Sequence, residues 1–89
     1  MSNVLGMDIQ AVRNLATQLN SKADEIDSIM NLLTQLLDQA IWTGPDATTF
    51  RNDWHTTHRT QLYAVSTALR DASQRSSQNA SQQEQASAS

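Results

Sequence analysis

His55 and His58 sit three residues apart in "WHTTH", close enough to share one face of a helix and, with further ligands, one metal ion. The further ligands are missing. The chain contains no cysteine, and the positions three before each histidine are Asn52 and His55, so the Glu-x-x-His pattern of di-metal helical bundles is absent. Asp53, the histidines and several serines and threonines could in principle supply a nucleophile and a base, but a triad needs side chains converging from separate rigid elements. No glycine-rich phosphate loop occurs. "NAS" at Asn79 matches a glycosylation sequon, which in a serine-rich stretch is a chance match more often than a site. The expectation is a protein without enzymatic activity, with no cofactor and no metal site.

The elements that carry these residues are legible from periodicity. From Ile9 to Ala40, placing Ile9 at heptad position a puts Ile9, Ala16, Ala23, Met30 and Leu37 at a, and Val12, Leu19, Ile26, Leu33 and Ala40 at d. All ten are apolar, and neither glycine nor proline interrupts them. Leu15, Ile29 and Leu36 at g widen the stripe beyond a two-stranded seam. A helix over about 8–41 is predicted. A second apolar series, Ala47, Phe50, Trp54, His58, Leu62, Val65, Leu69 and Ala72, predicts a helix over about 46–74. Its three consecutive spacings of four act as a local stutter. Residues 1–7 form a lead-in. Residues 75–89, rich in serine, glutamine and alanine, hold no large apolar side chain, so a disordered, flexible tail is expected there, into which alanine and glutamine could extend the helix by a few frayed turns.

Between the two helices stands "IWTGPDATTF". Gly44 can take a positive φ and terminate the first helix, Pro45 suits the first position of the next, and Asp46 faces the positive end of its dipole. So short a link makes the helices antiparallel neighbours, a helix-turn-helix hairpin. Trp42 is not required by the backbone. Its ring could lie across the start of the second helix near Phe50 or Trp54, plugging the open end. The expected core is Val12, Leu15, Leu19, Ile26, Met30, Leu33, Leu37, Phe50, Trp54, Leu62, Val65 and Leu69. A lone pair of such helices would leave a long apolar band in water, so the hairpin should dimerise into an all-α four-helix bundle.

Charge and hydropathy narrow the partners. Six basic residues against nine acidic give a net charge of −3, which argues against nucleic acid or an anionic membrane surface. No stretch approaches the ~20 apolar residues of a membrane span, and "MSNVLGMDIQ" does not read as a cleavable signal peptide.

Trp42-Thr43-Gly44 at the turn between two helices closely resembles the WXG motif of the WXG-100, or early-secreted-antigen-like, family. The resemblance extends along "WTGPDATTFRNDW" and, with the flanking heptads, covers the two predicted helices. It implies a helical hairpin that pairs, as a homodimer or with a sister protein, and leaves the cytoplasm through a type VII (ESX-type) secretion system without a cleavable signal. It also implies that Trp42 and Gly44 form an export motif read, with a tyrosine-x-x-x-acid signal, by the secretion ATPase. That signal is not in its usual form here: the single tyrosine, Tyr63, is followed four residues later by Thr67. Two functions stay open, a dimeric secreted substrate and an adaptor that presents another WXG-type protein or a toxin's N-terminal helical domain for export.

Overall fold

The computed structural model describes residues 7–88, and they are helical with no strand among them. The lead-in expected over residues 1–7 lies almost wholly outside the described residues. Helix α1 spans Ile9–Gln39. The Asp8 side chain caps it by accepting from the Ala11 N–H at 3.0 Å, which satisfies one of the free donors of the first turn. Residues 40–44 connect it to α2, Pro45–Asp53, which leads through a single π-helical segment, Trp54–His58, into α3, Arg59–Ala88. The described chain is a rod 66 Å long and 17 by 14 Å across.

α3 returns along the side of α1. Ser66 lies against Ala23 and Asp27, Ser73 donates to the Ala16 carbonyl at 2.6 Å, and Arg13 grips Glu84 through two hydrogen bonds of 3.0 Å. The buried positions along α1 are Ala16, Ala23 and Met30, one heptad apart, and those along the returning helices are Ala47, Trp54, Ser66, Ala80 and Gln83. Alanine and serine dominate this seam. Small side chains let two backbones approach closely, and the serine hydroxyls are satisfied by α1 carbonyl or carboxylate oxygens rather than left bare.

The π segment explains how one helix serves two registers. Ala47 and Trp54 are a heptad apart and both buried. A strict continuation would bury Gln61 and Ala68, which are exposed. Instead the Arg59 N–H reaches back to the Trp54 carbonyl, one residue is absorbed into the wider turn, and the inward series becomes Leu62, Leu69, Ser76 and Gln83. The stutter expected from the three fours is here a local π turn.

Three expectations require correction. The first helix ends at Gln39, two residues earlier than 41. The second does not stop near residue 74, and the disordered tail is not what the structure contains: α3 continues to Ala88, with Ala80 fully buried and Glu84 tied to Arg13. The physical reason is the seam of small residues. A segment needs no large apolar side chain to pack when its neighbour offers a close backbone, and alanine and glutamine are good helix formers. The third concerns Gly44. It does have positive φ, but it is the N-cap of α2 and not the terminator of α1, whose C-cap is Ala40 in extended conformation.

Midway along the rod, Arg70 donates to Ser66, Asp24 and Asp27, and Ser66 donates to Asp27 at 2.7 Å. The Ser66 hydroxyl and the Arg70 guanidinium hold the Asp27 carboxyl below the usual carboxylate range, and Arg13 does the same for Glu84. Because both folded values are depressed, the stability they contribute is present above the ordinary carboxylate pKa of about 4 and is lost as pH falls through the lower folded values. The thermal midpoint should therefore drop as pH is lowered through this range, and Asp27→Asn should flatten that part of the profile. Ala23→Leu should overpack the seam and cost about 1–3 kcal/mol in chemical denaturation.

Candidate functional site

The end of the rod at residues 40–54 concentrates the chain's special side chains. α1 stops with its last carbonyls facing outward, and such groups need donors. Arg51, from the last turn of α2, supplies them. Its Nε and Nη2 donate to the Leu37 carbonyl at 3.1 and 3.0 Å, Nη2 also to Ala40 at 3.0 Å, and Nη1 to Trp42 at 2.6 Å. The planar guanidinium fits this fan of acceptors, and its charge sits at the negative end of the α1 dipole.

The same guanidinium lies over the Trp42 ring, 5.8 Å from its centroid. Phe50 approaches the indole at 6.2 Å with the rings tilted by 47°, and His58 continues the series 6.4 Å beyond Phe50. Trp42 thus lies across the start of the second helical run, against Phe50. It remains 42% exposed. Trp54 plays the other part, buried with its Nε1 donating to Thr34 at 3.0 Å, while Thr34 donates to the Met30 carbonyl.

Gly44 adopts φ 114°, ψ 173°, a region closed to side-chain-bearing residues for reasons of backbone geometry. A Cβ there would meet nothing within 4 Å, so the requirement is conformational and not one of space. Pro45 and Asp46 occupy the first turn of α2.

The remaining site residues divide by exposure. Met30 and Trp54 are buried; Val12, Leu19, Ile26, Leu37, Leu62 and Leu69 are half-buried; Leu15, Leu33, Phe50 and Val65 are exposed on the described chain. The division follows the heptad. The a positions of α1 face α3, and the e positions carry the contacts Arg13–Glu84 and Asp27–Ser66–Arg70. The d and g positions therefore form the opposite flank, and Leu15, Ile29, Leu33 and Leu36 there are exposed, as is Val65 of α3. On α1, one flank carries the ion pairs and the other most of the exposed leucine and isoleucine.

His55 and His58 do not converge. His55 approaches Asp38 at 3.7 Å while His58 stacks near Phe50, and among the described residues no three potential ligands cluster. A shallow depression of about 250 Å³ beside Met30, His55, Arg59, Thr60 and Tyr63 is open to solvent. No described helix is long and apolar enough to cross a membrane.

Sequence reasoning missed Arg51, Thr34, Ser66, Ser73, Arg70 and Ala80. The signal for Arg51 was present: with Ala47 and Trp54 at spacings of four and three it shares the inward face of α2, opposite the end of α1. Comparison with protein-family models, with curated proteins and with solved structures returns no match.

Arg51→Ala should leave three carbonyls without their donor and lower stability by about 1–3 kcal/mol, while Gly44→Ala should cost a similar ~1–3 kcal/mol through strain alone. Chemical denaturation checks both.

Proposed function

We propose that this chain is a small non-enzymatic helical-hairpin protein of a type VII (ESX-type) secretion system, similar to the WXG-100 proteins, and that it acts as a dimer. In this reading two hairpins close a four-helix bundle, the protein is cytoplasmic before export, and it leaves without a cleavable signal peptide. The observation that carries the reading is the apolar flank of α1 and α3, which ends in a Trp42-Thr43-Gly44 turn whose indole is held in place yet still exposed.

The packing supports it in physical terms. Among the described residues, only Met30 and Trp54 are both buried and large and apolar. Leucines and isoleucines that would form a core are instead lined up on one face, a band that soluble monomers seldom leave in water. A partner supplies the missing half. The Trp42 turn, fixed by Arg51 and by the backbone of Gly44, offers the secretion ATPase a preorganised aromatic surface at the bundle's end.

The alternative is an adaptor that pairs with another WXG-type protein or with a toxin's N-terminal helical domain. One observation favours it: Tyr63 lies within α3 and is followed by Thr67 instead of an acid, so a partner would contribute the tyrosine-containing signal. Co-purification with neighbouring gene products as a stable one-to-one complex would establish this second reading.

Trp42→Ala should leave the helical content intact by circular dichroism and sharply reduce the amount outside cells carrying the secretion system. Equal extracellular amounts with and without the secretion ATPase would overturn the export assignment.

A further inference from the structure

The shallow depression at Met30, His55, Arg59, Thr60 and Tyr63 lies outside the apolar flank. It opens where the second helical run widens. His55 belongs to the π segment Trp54–His58, and the Arg59 N–H closes that segment on the Trp54 carbonyl. Single π turns of this kind recur at functional sites. The depression is on the ion-paired side of the rod: His55 stands 3.7 Å from Asp38, and Tyr63 shares a face of α3 with Arg70, seven residues on, which holds Asp24 and Asp27. A partner covering the apolar flank would leave it in water.

Its chemistry suits recognition. Met30 is buried and forms the floor, Tyr63 is 64% exposed at the rim, and methionine, tyrosine and arginine are enriched where proteins meet. Arg59 is the decisive group. Arg13, Lys22 and Arg70 have carboxylate partners, and Arg51 donates to the carbonyls at the end of α1. Arg75 has Asp71 one turn before it. Arg59 makes no ion pair or hydrogen bond among the described residues, and the side chains one turn away on its own helix are His55, Thr56, Leu62 and Tyr63, none of them acidic. In a chain of net charge −3 it is an unanswered cation beside an apolar floor and two hydroxyl-bearing side chains.

We infer that this depression receives an acidic side chain of a partner protein, with the carboxylate on Arg59 and the methylenes on Met30. Size selects a side chain. At about 250 Å³ the depression falls short of the ~300–1,000 Å³ typical of pockets that enclose a small molecule. Charge selects a carboxylate. One guanidinium answers one negative charge through its paired N–H groups, whereas a phosphate dianion would bring a second charge toward Asp38, which lies beside His55. The site does not depend on the export reading or on pairing through the apolar flank, and either could fail without removing it.

The full chain, isotopically labelled for NMR, can be titrated with the blocked dipeptide acetyl-leucyl-glutamyl amide, with its glutaminyl counterpart and with phenyl phosphate. The glutamyl probe should give saturable amide shifts centred on residues 55–63. It should bind roughly tenfold more tightly than the glutaminyl probe, the effect of one charge-assisted contact. Arg59→Gln, confirmed as helical by circular dichroism, should abolish that difference, and Arg75→Gln should keep it. Absence of a saturable shift with the glutamyl probe, shifts centred elsewhere, equal binding of the two dipeptides, or a preference that survives Arg59→Gln would overturn the site. Tighter binding of phenyl phosphate would overturn the carboxylate assignment.

Discussion

Close approach of two helix backbones across alanine and serine is the constraint on which the rest of this structure depends. Ala16, Ala23, Ser66, Ser73 and Ala80 are the buried or half-buried small residues of the seam between α1 and α3, while Leu62 and Leu69 of the same inward series stay half-buried. The larger apolar side chains are consequently displaced to the side of the contact. The thin interior and the apolar flank are one fact seen from two directions: what makes the intramolecular seam narrow is what leaves a wide surface outside it. The hydroxyl groups of the seam are tolerated because α1 supplies acceptors for them, as Ser73 shows with the Ala16 carbonyl.

The Trp42 end obeys a different logic. There the chain must stop one helix and begin another within five residues, and two devices share the task. Gly44 supplies a backbone angle, and Arg51 supplies donors to the carbonyls that α1 leaves behind. Trp42 is fixed as a by-product of the second device, since the guanidinium that reaches its carbonyl also lies over its ring. The arrangement separates two tryptophans by role: Trp54 is buried and anchored to Thr34, and Trp42 is displayed.

Much of the fold was legible in the sequence for reasons that can be stated residue by residue. An uninterrupted heptad from Ile9 fixes α1, and Gly44-Pro45-Asp46 fixes where the second run starts. The seam between the helices was not legible because hydropathy weights large side chains: Leu33 and Val65 are expected in the core and are exposed, while Ser66, which the apolar series passes over, is buried. The same bias concealed the helical course of residues 75–88, whose packing depends on Ala80 and on the distant pair Arg13–Glu84. The π turn was visible only as a run of fours, since spacing reports that a register changes but not which backbone bonds change it. Chain geometry put Trp42 near Phe50 or Trp54 without choosing between them; Arg51 required knowing which carbonyls α1 leaves open.

In the proposed dimer the ion-paired flank would limit growth. Arg13 with Glu84, and Arg70 with Asp24 and Asp27, spend their charges on neighbours within the chain and cover the side opposite the apolar band. A rod that is sticky on both sides can polymerise without limit, but one that is sticky on a single side saturates after one addition. The surface salt bridges contribute little to folding energy individually. In the proposed dimer their larger effect would be on stoichiometry, since a flank carrying these paired charges offers no second apolar surface.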